Sequence, residues 1–354
     1  MSVKLKMTRK MTKISDGKPI VAVIGAGSWG TALARLLSEK GIETRLWGHR
    51  HDHLQRILAH HENKQYLPGF LLPKNLRVCA TIKEAIATAT VICIVVPSHV
   101  YRETFHKILD QLIPGNVRLP IFVSATKGIE NESLQTMNQV MQECLESRQI
   151  RAYTAILSGP SFAREVAAKV PTAITIGSTD ERVAKELQEL FSTDYFRVYT
   201  SHDVIGLEIS AALKNIIAIA AGICDGLAFG SNARAALITR GLAEMTRLGK
   251  ALGAEEKTFY GLSGLGDLVL TCTGALSRNR HVGLELGKGK SIDQILKNMS
   301  MVAEGVKTTK SVYRLVRRLR IEMPILEQVY QIIYEGKDCA TAVKDLLDRD
   351  LKQE

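Results

Sequence analysis

The chain has 354 residues, 45% hydrophobic and 23% charged, with a formal net charge of +11. That length holds two domains, and the balance is that of a soluble globular protein, which excludes disordered, fibrous and disulfide-scaffold classes. Of the net charge, +5 sits in residues 1–18, where Lys4, Lys6, Arg9, Lys10, Lys13 and Lys18 face only Asp16, leaving a mild +6 on the body. A small anionic ligand suits that body, and without basic-aromatic stripes nucleic acid is not expected as a partner.

Residues 1–18 lack the apolar stretch of a signal peptide and read as a flexible basic tail or a mis-assigned start. Pro19 to Ile24 is a β-rich run leading straight into Gly25-Ala26-Gly27-Ser28-Trp29-Gly30, then a helix with Ala32, Leu33, Leu36 and Leu37 on one side, and a second strand from Glu43 to Trp47. In such a βαβ unit the glycine spacing binds a dinucleotide. Gly25 makes the tight turn, Gly27 admits the pyrophosphate to the backbone, and Gly30 lets helix and strand pack closely. Where an acid would accept the 2′-hydroxyl of NAD, the second strand ends in Trp47-Gly48-His49-Arg50-His51. His49 and Arg50 can face a 2′-phosphate, so NADP(H) is favoured and NAD(H) stays open. His51, His53, His60 and His61 read as a polar, solvated helix without partner ligands, so no metal is expected.

Further strands are expected at Leu76–Ala80, Val91–Val96, Ile121–Ala125, Tyr153–Leu157, Thr172–Gly177 and Phe196–Tyr199, with helical patterns between them. This alternation implies an α/β Rossmann-like, doubly wound, mostly parallel sheet over residues 19–200, whose ligands sit beyond the carboxyl ends of the strands. Ser98, Lys127, Gly159, Ser161 and Ala163 follow such strand ends. From Val204 strand signals vanish, and residues 201–354 read as an all-α C-terminal domain that holds the substrate. Its first helix, Val204 to Leu227, matches a bilayer in length, but Glu208, Lys214, Asn215 and Asp225 interrupt it, so a core helix is expected and no stable membrane insertion. Lys214 is either a lysine on the wet side of that helix or a buried amine whose lowered pKa suits a proton donor. Downstream, a glycine-dense loop ends at Asp267, and Ser277-Arg278-Asn279-Arg280 makes either an anion pocket or a helix N-cap with solvated arginines. The six scattered cysteines form no CxxC pair, which suits free thiols in the cytoplasm.

Several ordered motifs resemble the NAD(P)-dependent glycerol-3-phosphate dehydrogenases of the bacterial type from about Lys18 to about Asp348: GAGSWGTALA at the first turn, ATKGIE at 125–130, SGPSFAREV at 158–166, ALKNIIAIAAGICDGL at 212–227, GLSGLGDLVLTCTG at 261–274, SRNR at 277–280 and AEGV at 303–306. The resemblance implies reversible reduction of dihydroxyacetone phosphate to sn-glycerol 3-phosphate for phospholipid synthesis. It makes Lys214 the acid/base and puts Lys127 against cofactor and substrate. Asp267, Asn279, Gly159 and Ser161 would hold the substrate, Ser277 and Arg278 its phosphate. Ser28, Trp29, Ala163, Arg278, Val302 and Glu304 would contact the dinucleotide, with Trp29 packing on the pyrophosphate or on an adjacent loop. A homodimer is also implied. Asp267 near Lys214 would raise the lysine pKa against burial, and the sequence leaves that balance open. Two other readings are a related keto- or hydroxy-acid reductase and a non-catalytic dinucleotide sensor; the SRNR and ATKG groups favour a phosphorylated substrate.

Overall fold

Short apolar strands alternating with one-faced helices build the first half of the molecule. A computed structural model describes residues 18–112, 120–299, 303–350 and 353; residues 1–17 of the basic tail, and Val302, lie outside the described residues. Strands β1 (Ile20–Ile24), β2 (Glu43–Trp47), β3 (Leu76–Val78), β4 (Val91–Ile94), β5 (Ile121–Ser124), β6 (Thr154–Ser158), β7 (Thr172–Gly177) and β8 (Phe196–Ser201) form one eight-stranded sheet in the order 3-2-1-4-5-6-7-8. Every neighbouring pair is parallel except β6 and β7. Helices α1 (Ser28–Glu39), α2 (His51–His60), α3 (Ile82–Ile86), α4 (Tyr101–Gln111), α5 (Met137–Ser147), α6 (Ala163–Ala167) and α7 (Glu181–Phe191) join the strands. Leu33, Leu37, Leu187 and Phe191 cover one face of the sheet, and Phe105, Ile108, Val140 and Met141 the other. The Rossmann-like fold expected from the alternation is therefore the fold observed.

Three strands stop short of the expected runs, β5 by one residue at Ser124. β4 ends at Ile94, not Val96, because the Val95 carbonyl turns against Gly25, where a Cβ would lie 2.2 Å from it. β3 ends at Val78, while β8 continues to Ser201 along β7. β1 pairs with β2 on one side and β4 on the other, so the chain reverses direction across the sheet there and opens a crevice at the strand ends.

The second half is helical: α8 (Val204–Gly226), α9 (Gly230–Ala251), α10 (Glu256–Phe259), a π-turn at Leu262–Gly266, α11 (Asp267–Thr273), α12 (Arg278–Gly287), α13 (Ile292–Lys297), α14 (Glu304–Leu319), α15 (Pro324–Glu335) and α16 (Cys339–Leu347). Helix α8 is apolar on every side because its neighbours enclose it. It is long and apolar enough to cross a membrane, but 94% of its most apolar stretch is buried in the protein. Against it α12 packs backbone to backbone: a Cβ on Gly222 would lie 2.0 Å from the Arg280 carbonyl oxygen, and one on Gly283 1.9 Å from that of Ile219.

Burial also captures Glu208 of α8. Its Oε1 accepts from the Asn138 N–H at 2.8 Å, while its Oε2 and the Asn138 Oδ1 have no protein partner. Burial pushes its pKa to about 7, against hydrogen bonds from Thr136, Asn138 and Met137. Between pH 4.5 and about 7 the folded state therefore holds a proton that the unfolded state has lost, so this group's stability contribution falls as pH rises through that window. Glu208→Gln should stabilise the protein at pH 8 by up to about 3 kcal/mol and give no gain near pH 4.5. Urea midpoints at the two pH values check this.

Candidate active site

A cleft of about 830 Å³ runs from the glycine loop across the ends of β4 and β5 to the middle of α8 and the start of α12. At one end the glycine loop is shaped by close contacts. Gly25 adopts φ +129°, and a Cβ on Gly30 would lie 1.9 Å from the Gly25 carbonyl oxygen. A Cβ on Gly27 would meet nothing within 4 Å, so its backbone faces open space. Helix α1 starts there with no side-chain cap and no acid in its first turn. Such a helix start offers free N–H groups to an anion, and a pyrophosphate fits this end of the cleft.

At the other end two lysines share one carboxylate. Lys214, only 5% exposed, donates to Asp267 Oδ1 at 2.6 Å and to Thr271 Oγ1 at 2.9 Å. Lys127, at the end of β5, donates to Asp267 Oδ2 at 2.7 Å and to the Gly159 carbonyl at 3.1 Å. Burial pushes the Lys214 pKa down to about 7; the Asp267 charge opposes that and the Lys127 charge adds to it. Burial alone would raise Asp267, but the two ammonium groups outweigh it and hold the carboxyl below its ordinary range. The contest left open in the sequence is therefore won by burial at the lysine and by charge at the aspartate.

Helix α12 points its start into the same cleft. Ser277 caps it, accepting from the Arg280 N–H at 3.2 Å, so its oxygen is partly committed to the helix. The Asn279 amide donates to Asn215 Oδ1 and accepts from the Gly305 N–H, both at 2.9 Å, leaving one N–H for a ligand. Arg278 stands exposed on the cleft wall, and its guanidinium donates no hydrogen bond among the described residues. Arg280 instead pairs with Asp225 at 2.6 Å, away from the cleft.

Comparison with known proteins gives the chain its family. A family model described as NAD-dependent glycerol-3-phosphate dehydrogenase N-terminus matches residues 20–184, and the corresponding C-terminus model matches residues 203–344. Over 348 residues the chain is 57% identical to the glycerol-3-phosphate dehydrogenase (NAD(P)+) of Desulfotalea psychrophila, covering 96% of this chain and 100% of that one. It is 53% identical to the enzyme of the same name from Syntrophotalea carbinolica, over 94% of this chain and 99% of that one. A crystal structure of glycerol-3-phosphate dehydrogenase from Coxiella burnetii superposes with a TM-score of 0.89 at 41% identity, covering 94% of this chain and 99% of that one. The chain belongs to the NAD-dependent glycerol-3-phosphate dehydrogenase family.

In this member of the family, the cleft brings together Ser28, Trp29, Lys127, Ser161, Ala163, Lys214, Asp267, Ser277, Arg278, Asn279 and Glu304 from both halves of the chain. Gly159 lies behind the wall, its carbonyl accepting from Lys127 and from the Ser161 hydroxyl. Trp29 packs against Phe196, with ring centroids 6.5 Å apart, which accounts for its bulk beside a glycine loop. Glu304 accepts from Ser98 Oγ at 2.8 Å, and burial raises its pKa. His49 is exposed at the mouth, and Arg50 donates to Gln65 Oε1 at 2.7 Å and Tyr66 OH at 3.0 Å.

One sequence expectation needs correcting. His53 is not solvated: it is buried, and burial lowers its pKa, because α2 turns this face toward Asn63 and the Tyr66 ring. Thr271 and Tyr66 line the cleft and escaped the sequence reading, as did the site role of Asn215, named there only as a break in the apolar helix. Thr271 carried a local signal, one helical turn after Asp267, and Asn215 another, beside Lys214.

Proposed function

We propose that this chain reduces dihydroxyacetone phosphate to sn-glycerol 3-phosphate with NAD(P)H, and that Lys214 supplies the proton. The observation carrying the reading is the buried Lys214–Asp267–Lys127 bridge facing a cleft that reaches the glycine loop. The glycine loop and the start of α1 would hold a dinucleotide along that cleft, which when bound would supply the hydride for the substrate carbonyl carbon. Lys214 sits where its N–H can meet the carbonyl oxygen, so positive charge and a proton are both at hand as negative charge builds there. Asp267 stays ionised and fixes both ammonium groups, and the third N–H of Lys127 remains for the same oxygen. Arg278, the remaining Asn279 N–H, the Ser277 hydroxyl and the start of α12 form the phosphate pocket. Ser161 lines the substrate, with Gly159 acting through its carbonyl. Gly25, Gly27, Ser28, Gly30, Trp29, Ala163 and Glu304 belong to the dinucleotide end. A buried ammonium provides the positive charge here, so the reading invokes no metal.

Arg278→Ala should raise the KM for dihydroxyacetone phosphate by about 10²-fold or more, as expected for a charge-assisted phosphate contact of about 3 kcal/mol. An unchanged KM would remove Arg278 from the phosphate pocket. The direct test of the reaction is oxidation of NADPH and NADH by the purified chain with dihydroxyacetone phosphate. A folded protein that binds the dinucleotides but oxidises neither would overturn the assignment.

The same assay tests cofactor choice. NADP(H) is the proposed preference, because Arg50 is held at the cleft mouth beside His49 and no carboxylate ends β2. Arg50→Ala should cut kcat/KM for NADPH about tenfold and leave NADH nearly unchanged; equal losses would refute the preference. The chain is further proposed to act as a cytoplasmic homodimer divided near residue 200 into dinucleotide and substrate domains. Its six free thiols suit a reducing compartment, and light scattering tests the dimer.

A further inference from the structure

We infer that Asn63 is a positioning residue for dinucleotide binding, aiming the Gly27 N–H at the pyrophosphate through the peptide that joins Ala26 to Gly27. The inference rests on the dinucleotide reading of the glycine loop.

Asn63 is fully buried, at 0% exposure, and lies outside the glycine motif by more than thirty residues. Its amide nitrogen donates to the Ala26 carbonyl at 3.0 Å and to Thr31 Oγ1 at 2.8 Å. Its Oδ1 accepts from the Tyr66 N–H at 3.2 Å and from His53 Nε2 at 2.9 Å. Two donors and two acceptor positions are the full capacity of a primary amide, so every valence is used. The backbone partners also fix its orientation: the Tyr66 N–H can meet only the oxygen, and the Ala26 carbonyl only the nitrogen. His53 must then carry its hydrogen on Nε2.

The Ala26 carbonyl and the Gly27 N–H belong to one planar trans peptide, and in such a unit they point in opposite directions. Tying the carbonyl to buried Asn63 turns the N–H away from the protein interior. Gly27 lines the cleft, its side-chain position is open, and its N–H meets no protein acceptor among the described residues. Glycine would otherwise let this peptide rotate at little cost, because φ of Gly27 is almost unrestricted. Asn63 therefore removes a freedom that the glycine introduces. The same loop grips its neighbour as well: Ser28 Oγ donates to the Tyr66 carbonyl at 2.6 Å.

The test is fluorescence titration of the full chain with NADH and NADPH, together with steady-state kinetics. Asn63→Ala should raise Kd for both dinucleotides by about tenfold or more. Its kcat at saturating cofactor and its KM for dihydroxyacetone phosphate should stay within about twofold of the unsubstituted chain. Thr31→Val leaves one Asn63 N–H unpaired in the same buried spot but keeps the Ala26 bond, so Kd should move less than about twofold. His53→Ala frees one side of the amide and should weaken binding about three- to fivefold, with His53→Gln restoring it. A folded Asn63→Ala that binds as tightly as the unsubstituted chain overturns the inference. So does a Thr31→Val that loses as much affinity as Asn63→Ala, since the effect would then be one of burial alone. If Asn63→Ala does not fold, the His53 pair decides, and full affinity in His53→Ala overturns the inference. Failure of the unsubstituted chain to bind either dinucleotide would instead overturn the reading beneath it.

Discussion

Lys214→Ala should lower the rate of dihydroxyacetone phosphate reduction by about 10²–10⁴-fold, the range of a positioned proton donor. The Kd for NAD(P)H should change less than about threefold, because Lys214 lies at the α8 end of the cleft, away from the glycine loop. Small primary amines added to the variant should restore part of the rate, which they would not do if the lysine only held the fold. Equal losses of rate and cofactor affinity would assign it a structural role. In the unsubstituted chain the pKa of about 7 sets the pH dependence. Reduction requires the protonated amine, so its rate should fall as pH rises through about 7, and oxidation of glycerol 3-phosphate, which requires the neutral amine, should rise through the same point. Opposite limbs at one pH midpoint are the signature to measure.

Asp267→Asn should be the second severe change, and its effect should be recoverable with acid. The carboxylate is 1% exposed and is the only negative charge hydrogen-bonded to both Lys127 and Lys214 among the described residues. With the amide in its place, burial and the Lys127 charge would both disfavour protonated Lys214, and the charge that opposes them would be gone. Reduction at pH 8 should drop about 10²-fold or more, and its pH limb should move at least about one unit toward acid. A uniform loss at every pH, with no movement of the limb, would show that Asp267 contacts substrate without setting the lysine. Stability should fall too, since removing one member of a buried ionic group typically costs about 3–5 kcal/mol.

The sheet, the glycine loop and the central helix were legible because each is written locally. Val91 to Ile94 is apolar at every position, as burial on both faces requires, and the fingerprint glycines sit five residues apart at most. The apolar surround of Lys214 was visible in its own helix, which is why burial could be weighed at all. Other features depend on residues far apart in the chain. Asp267 meets Lys127 across 140 positions and Lys214 across 53, and Asn63 meets Ala26 across 37. No periodicity encodes such pairings. His53 shows the limit from the other side: histidine, aspartate and arginine neighbours make its helix look wet, while the loop that covers it lies a full turn beyond. Ser277 illustrates a choice that composition could not make, since capping α12 and facing an anion both use a serine before arginine, and in the structure it caps the helix while lining the cleft.

The contact of α8 with α12 has a consequence for how the site is held. Gly222 and Gly226 on one helix abut the backbone of Arg280, Leu284 and Gly287, and Gly283 and Gly287 on the other abut that of Ile219, Ile223 and Gly226, so main chain rests on main chain there. Lys214 stands on the first helix and Arg278 opens the second. With the roles proposed for Lys214 and Arg278, the two anchors are thus held against one another by a seam of glycine backbone. A Cβ on Gly283 would lie 1.9 Å from the Ile219 carbonyl oxygen, so Gly283→Ala would push the two helices apart and shift one anchor against the other.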